Sequence, residues 1–203
     1  MSMATRVLTA GAFAALLAGC LSFGQQEPQR YYVLEPDGKA RPNRPANPRA
    51  TTLLVAPTSA SAFYETAEIA YSRAPGERAY YQLSSWTEHP SRRITGMLIA
   101  RLEGAGSFET IAYAASGVQG DLVLNTHLTA FYHDATTPPG RVHVALTAEL
   151  IDPQKRALVA RRSFEQSAPA ATYDAAGAVA AFNRATAAIL DDIAAWIEAT
   201  APR

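Results

Sequence analysis

LVLNTHLTAFYHDATTPPGRVHVALTAEL, residues 122–150, specifies the centre of a β-sheet. Apolar and polar side chains alternate along both halves, and this period of about two is typical of β-strands. Pro138-Pro139-Gly140 separates the halves and predicts the turn of a hairpin. One apolar face per strand indicates a sheet covered on one side only. The faces expected to point inward consist of Leu122, Leu124, Leu128 and Ala130 on the first strand and Val142, Val144, Leu146, Ala148 and Leu150 on the second.

Further strands are predicted on both sides of this hairpin. A third long strand is expected at 157–166, although Arg162 falls on its inner face. The residues on either side of Pro75-Gly76 predict a second hairpin, and an irregular turn is expected near 62–65. Shorter strands are predicted at 30–34, 51–56, 69–72, 79–83 and 108–113.

Two helices complete the expected fold. Pro90 and the glycines after residue 103 delimit a helix over 90–103. An alanine-rich helix is predicted over 174–199, with one apolar stripe. We therefore expect one α/β domain of the α+β kind, with a mixed, mostly antiparallel sheet against two main helices. The stripe consists of Val179, Phe182, Ile189, Ile193 and Trp196.

Cys20, the only cysteine, ends an uncharged run that begins at Val7. That run is shorter than the ~20 apolar residues that a spanning helix needs, but it suits the apolar core of an export signal. Leu17-Ala18-Gly19-Cys20 resembles the bacterial lipobox, whose cysteine receives acyl chains such as palmitate. We expect a signal peptide over 1–19, a lipidated cysteine and tether over 20–30, and the folded domain over 31–203. The alternative is a chance cysteine in an ordinary secretory signal.

The remaining composition argues against several classes of partner. Without the leader, 17 basic and 18 acidic residues remain, so no charge excess favours nucleic acid. A segment over 39–49 repeats proline and arginine and is interpreted as a stiff polyproline-like loop. Leu21 follows the cysteine in place of the aspartate that retains many lipoproteins in the inner membrane, which favours the periplasmic face of the outer membrane.

No motif predicts catalysis, a cofactor or a metal. The four histidines lack the tight spacing of a zinc site, and neither a nucleophile elbow nor a phosphate-binding loop occurs. His127 and His143 are expected on one sheet face, where Asp134 or Glu149 would allow an acid–base or metal pair. We favour an exposed polar strand face over that pair.

Several short segments, in order, resemble the ABC-type transport auxiliary lipoprotein family, which includes the lipoprotein of the paraquat-inducible intermembrane system. The segment at 39–49 departs from this pattern. The similar segments are the lipobox, Arg30-Tyr31-Tyr32-Val33-Leu34, Ile69-Ala70-Tyr71-Ser72-Arg73, Tyr80-Tyr81, Trp86-Thr87-Glu88-His89-Pro90, Ala160-Arg161-Arg162-Ser163-Phe164 and Ile193-Ala194-Ala195-Trp196-Ile197.

The resemblance implies a non-enzymatic subunit in a Gram-negative bacterium. Its implied partners are a periplasmic protein of the mammalian-cell-entry type, an ABC permease and an ATPase, which together move lipid between membranes. The implied role is to dock the partner's tunnel at the outer membrane. The alternatives are a structural or assembly lipoprotein unrelated to transport, and a lipid-anchored hydrolase using His127 or His143.

Tyrosine and tryptophan outside the regular core pattern mark the expected contact surface. Tyr80 and Tyr81 are adjacent on one strand, so they cannot both face the core, and at least one should be exposed. We predict that Tyr80, Tyr81 and Trp86 touch a partner or another copy of the chain, since aromatic residues with polar tips are enriched at interfaces.

Overall fold

The computed structural model describes residues 27–36 and 49–202. In these ranges a mixed sheet of nine strands packs against two helices, α1 (Pro90–Ala105) and α2 (Ala175–Thr200). This arrangement confirms the predicted α+β domain. Cys20, the leader and residues 39–48 lie outside the described residues. The strands are β1 (Arg30–Tyr32), β2 (Arg49–Val55), β3 (Ser59–Ala60), β4 (Glu68–Ser72), β5 (Ala79–Trp86), β6 (Phe108–Tyr113), β7 (Leu122–Asp134), β8 (Arg141–Asp152) and β9 (Ala157–Pro169).

Strand β7 occupies the centre of the sheet. One edge of β7 pairs antiparallel with β8 almost end to end, and β8 pairs antiparallel with β9. The other edge of β7 pairs at successive positions with β2, β3 and β4, all parallel to β7. From there β2 pairs with β6, while β4 pairs with β5 and β5 with β1. The long antiparallel ladders were expected from the alternation, whereas the short parallel pairs were not.

A β-bulge at Thr129 corrects one predicted face. Leu128 lies opposite Leu146, but Ala130 lies opposite Ala145, so β7 contains one extra residue between them. The extra residue exchanges the two faces of the strand beyond it. The prediction that Ala130 points inward is therefore wrong, and Phe131 is the buried residue instead, at 3% exposure.

The core lies between the sheet and α2. All five residues of the predicted stripe are buried, and α2 packs on β8 and β9. Asp174 begins this helix by accepting a hydrogen bond from the Gly177 backbone N–H at 2.8 Å, which satisfies one of the unpaired donors of the first turn. Gly106 ends α1 in the left-handed conformation, as expected of a helix-terminating glycine.

Trp86 belongs to this core. Its ring packs against Phe131 at 5.7 Å and against Phe182 at 5.6 Å between centroids, and only 2% of the residue is exposed. The residue therefore offers almost no surface for the partner contact predicted for it. Trp86 is buried because the C-terminal end of β5 lies beneath α2, where its ring packs against Phe182.

Neither helix in the described ranges combines the length and the apolarity that crossing a bilayer requires.

Candidate partner-binding groove

An open groove of about 460 Å³ runs along β5, between the segment that leads into and forms β1, here called the entry segment, and the start of α2. Four residues of the entry segment, which we define as residues 27–32, line one side: Glu27, Pro28, Arg30 and Tyr32. The first residues of α2 close the opposite side. Tyrosines provide much of the lining, so the groove combines flat apolar rings with polar hydroxyl groups. The tyrosines are Tyr32, Tyr71, Tyr80, Tyr81 and Tyr173.

Tyr81 is fixed by a buried histidine beneath the groove. Its hydroxyl lies 2.8 Å from His133 Nδ1, and His133 Nε2 lies 3.0 Å from the Pro139 carbonyl oxygen. The carbonyl can only accept, so Nε2 carries the proton and Nδ1 accepts from the tyrosine. His133 is 0% exposed, and burial lowers its pKa, against the opposing effects of the Pro139 contact, Asp134 and Asp174. The histidine is therefore neutral and connects the groove to the β7–β8 turn.

Burial also raises the pKa of Tyr81 to about 12, and the nearby Asp174 carboxylate adds to this effect. The phenol consequently stays protonated and remains a donor at physiological pH.

Gly140 allows the close approach of the turn to this histidine. Its φ is +89°, and a Cβ at this position would collide with the His133 ring and the Asp134 carbonyl oxygen. Glycine adopts this conformation without steric cost, whereas other residues do not. The turn that the sequence predicted from Pro138-Pro139-Gly140 thus also holds the imidazole in place.

Tyr80 points to the opposite side of β5. Its ring stacks on Phe63 at 4.5 Å between centroids, and its hydroxyl donates to the Phe63 carbonyl oxygen at 2.8 Å. Burial raises the pKa of its hydroxyl, with Glu68 next in effect. Tyr80 and Tyr81 are both half-buried, so neither is as exposed as the sequence suggested for at least one of them. Phe63 covers Tyr80 from a short 3-10 turn, Ala62–Tyr64.

Charged groups of both signs surround the groove. Arg73 places its guanidinium 5.0 Å from the centre of the Tyr71 ring, a cation–π contact. Arg30 and Glu27 come from the entry segment, and Asp174 comes from the start of α2. Hydrogen bonds from Gly177 and Thr172 lower the pKa of Asp174, so this carboxylate is ionised. The groove therefore suits a partner surface that combines aromatic, acidic and basic groups.

Sequence reasoning missed Tyr173 and His133 as parts of this site. Tyr173 precedes the helix cap, where its hydroxyl donates to the Ala135 carbonyl oxygen at 2.8 Å and its ring meets His133 edge-on. A large aromatic residue directly before a cap was the available signal. His133 was hidden by the bulge, because an unbroken alternation from Leu128 would place it on the outer face.

His127 and His143 both lie on the open face of the sheet, which is the face away from α2, but they do not form a pair. His127 lies opposite Thr147, four residues along β8 from His143, which is a separation of about 13 Å at ~3.3 Å per residue. The acid–base or metal pair, which was the less favoured alternative, is therefore not formed by these two side chains. In the described ranges no group of three or more histidine, cysteine or acidic side chains is arranged to hold a metal ion.

Each of these histidines has other neighbours. His127 Nδ1 lies 2.8 Å from the Ser59 hydroxyl, and its Nε2 lies 3.4 Å from the Ser61 hydroxyl. His143 stacks on Tyr132 and lies 3.7 Å from Glu165. The suggested acids also have other contacts: Glu149 pairs with Arg161 at 3.4 Å, and Asp134 accepts from Thr136.

Comparison with known proteins identifies relatives of this fold. The family model described as ABC-type transport auxiliary lipoprotein component matches residues 32–194. A solved structure of a DUF330 protein from Xanthomonas campestris is 24% identical, covers 84% of this chain and 95% of its own, and has a TM-score of 0.73. A structure described only as an uncharacterized protein is 17% identical, with coverages of 84% and 99% and a TM-score of 0.66.

A more distant match is a hypothetical protein of Chlamydia trachomatis, at 8% identity, coverages of 75% and 98%, and a TM-score of 0.51. At these identities the solved structures show a common fold alone. No curated protein matches this chain at a significant level.

Proposed function

Because the chain belongs to the ABC-type transport auxiliary lipoprotein component family, we propose that it is the lipid-anchored docking subunit of an intermembrane lipid transport system. The family match over residues 32–194 is the observation that supports this role most directly. The subunit catalyses nothing in this proposal and holds no cofactor. A partner ATPase supplies the energy, and an ABC permease and a mammalian-cell-entry-type periplasmic protein form the conduit.

The anchor in this proposal is Cys20, after removal of residues 1–19. Several acyl chains on one cysteine would give firm attachment, since each buried methylene contributes about 0.8 kcal/mol. The described residues begin at Glu27, seven residues after the cysteine, and a chain of that length spans at most about 25 Å at ~3.6 Å per residue. The groove therefore lies close to the membrane that holds the anchor. Leu21 favours the periplasmic face of the outer membrane.

The partner contact in this proposal is the tyrosine-lined groove. Tyr80 and Tyr81 present partly exposed rings, and aromatic residues of this kind dominate the energetics of many interfaces. Because Arg30, Arg73 and Asp174 lie beside the tyrosine rings, the groove is better suited to binding a protein surface than a small apolar ligand. The alternative, a structural or assembly lipoprotein, is favoured by no observation of comparable weight.

The anchor is tested by Cys20→Ala in the full chain, with Ser22→Ala as the matched control in the tether. The Cys20 variant should leave the outer-membrane fraction and accumulate as soluble or uncleaved protein, while its folded domain melts normally. The control should stay in the outer membrane. Normal outer-membrane partition of the Cys20 variant would refute the anchor.

The role itself is tested by purifying the full chain from membranes in mild detergent. Co-purification of the mammalian-cell-entry-type protein together with its permease and ATPase is expected. Recovery of the anchored chain free of all three would favour the structural alternative.

A further inference from the structure

Strand β9 forms one border of the sheet, and its outer edge has no strand beside it in the described part of the chain. Such an edge presents a row of unpaired backbone N–H and C=O groups, which natural proteins usually protect or pair. A bulge at Val159 separates Leu158 from Ala160, so the regular edge begins at Ala160. We propose that this edge pairs antiparallel with β9 of a second copy, about a two-fold axis at Ser163.

The sequence around Ser163 is complementary to itself in this register. Antiparallel pairing about Ser163 places Arg161 opposite Glu165 of the second copy, and Glu165 opposite the second Arg161. These side chains are 62% and 72% exposed, so both are accessible to another molecule. Arg162 falls opposite Phe164, and within one chain its guanidinium already lies 5.1 Å from the centre of that ring. The outermost pair of the segment is Ala160 with Gln166.

The proposed pairing joins β8 and β9 of one copy to β9 and β8 of the other, and acidic and basic side chains alternate across these strands. On the open face, Arg161 pairs with Glu149 of its own chain at 3.4 Å, and Glu165 lies 3.7 Å from His143. The new pairing inserts Arg161 between Glu149 and the second copy's Glu165. Opposite charges on directly opposed positions stabilise neighbouring strands.

Neighbouring registers lack this complementarity. A two-fold axis perpendicular to the sheet must pass through a residue position, because an axis between two residues would oppose side chains of different faces. An axis at Arg162 places the two Arg162 side chains directly opposite each other. An axis at Phe164 leaves both arginines opposite uncharged residues. Like charges in directly opposed positions are destabilising, so Ser163 is the favoured centre.

The helix layer leaves room for the second copy. Phe164 contacts Trp196, and Gln166 donates to Asp192, so the end of α2 lies above β9. Beside Asp192 and Trp196, at helical spacing, this flank presents the short side chains of Ala195 and Ala199. Because α2 packs on both β8 and β9, its axis lies about one strand spacing from the two-fold axis. The α2 axes of the two copies would therefore be separated by two strand spacings, about 10 Å. Helices pack at ~8–10 Å, so the two layers are compatible.

Disulfide trapping tests the axis directly. Ser163→Cys in the native, membrane-anchored chain should give a covalent dimer of about twice the chain mass after mild oxidation. Ser167→Cys is the matched control, because it lies on the same strand and face but about 26 Å from its own mate in this register, beyond disulfide reach. The chain without an introduced cysteine controls for Cys20.

Charge exchange tests the register. Arg161→Glu and Glu165→Arg should each lower the dimer fraction measured in detergent by sedimentation, and the double variant should restore it. Melting curves of each variant identify any general loss of stability, since Arg161 also contacts Glu149.

Three results would each overturn the proposal. A folded Ser163→Cys chain could stay monomeric after oxidation, or Ser167→Cys could give dimers in equal yield. The third is a dimer fraction that the charge exchanges leave unchanged. This surface goes beyond the docking role, and its test depends neither on the groove nor on a transport partner.

Discussion

At the scale of single residues, His133 links three parts of the molecule. It joins the groove through Tyr81, the β7–β8 turn through Pro139 and the helix start through the ring of Tyr173. Each ring nitrogen has one partner, so a neutral imidazole satisfies the site completely. A charged imidazole would present a second donor to the Tyr81 hydroxyl, and the buried ring would have no solvent contact to stabilise its charge.

This environment predicts a stability that depends on pH. Burial holds the pKa of His133 below its ordinary value near 6.5, so the unfolded chain binds this proton more readily than the folded one. The histidine's contribution should be complete above about pH 6.5 and decrease as the pH falls toward 5. Asp134 and Asp174 have lowered pKa values and lose their contributions at more acidic pH.

The measurement is the free energy of unfolding by urea between pH 5 and 7.5, for the native chain and for His133→Gln. The variant should be less stable at pH 7.5, yet it should lose less stability on acidification. Equal losses in both chains would assign the acid sensitivity to other groups.

At the scale of elements, α2 provides the largest share of the core opposite the sheet. Trp196 closes its apolar stripe and packs against Phe164 on β9 at 5.7 Å between ring centroids. It is 8% exposed, so removal of the ring leaves a cavity that the neighbours cannot fill completely. We expect Trp196→Ala to lower the free energy of unfolding by about 3–5 kcal/mol.

Glu198→Ala is the control for this prediction, since Glu198 lies on the same turn as Trp196 but is exposed. The control should change stability by less than about 0.5 kcal/mol. Urea titrations of both variants decide the matter, and an unchanged midpoint for Trp196→Ala would mean that this end of α2 adds little to the core.

The elements also show where sequence reasoning succeeds and where it fails. Alternation located β7 and β8, because every second residue of a half-covered strand must be apolar, and the stripe located α2 for the equivalent helical reason. The bulge at Thr129 leaves no such trace. Its hydroxyl donates to the Ala145 carbonyl oxygen at 3.2 Å, a contact that exists only once the two strands are paired. The parallel pairs of β2, β3 and β4 with β7 are likewise set by contacts distant in sequence.

The candidate site also has features that the sequence predicted and features that it did not. Strand geometry correctly predicted that Tyr80 and Tyr81 point to opposite sides, since this follows from two adjacent positions. Their exposure could not be predicted, because Phe63 and His133 cover them from other parts of the chain. Trp86 was expected at the partner contact because it is a polar-tipped aromatic residue outside the regular core pattern, whereas the path of β5 beneath α2 places it in the core.

At the scale of the whole molecule, three surfaces are separate. The groove lies beside the entry segment, the β9 edge lies beyond β8 on the other side of β7, and the open sheet face lies away from α2. A subunit with this layout can contact a membrane-proximal partner at the groove while another copy pairs at β9. The proposed self-association and the proposed docking are therefore independently testable.

The groove is tested by changing Tyr80 and Tyr81 separately to Ser. Tyr81→Ser removes a half-buried ring and leaves the Nδ1 atom of buried His133 without its donor, which alone costs about 1–3 kcal/mol. Tyr80→Ser loses the stacking on Phe63, worth about 0.5–1.5 kcal/mol beyond buried area, and the hydrogen bond to the Phe63 carbonyl oxygen, but it leaves no buried imidazole without a partner. We expect Tyr80→Ser to melt near the native temperature yet to recover less of the mammalian-cell-entry-type protein from membranes.

Tyr81→Phe separates the two effects at the second position, because it keeps the ring and removes only the hydroxyl. It should be destabilised through His133 but should still bind the partner, since the ring remains in the groove. Melting temperature, particle size and partner recovery are measured together for all three variants. Native recovery by Tyr80→Ser and Tyr81→Ser chains that remain folded would place the partner contact elsewhere, because these two changes remove both of the aromatic rings to which the contact is assigned.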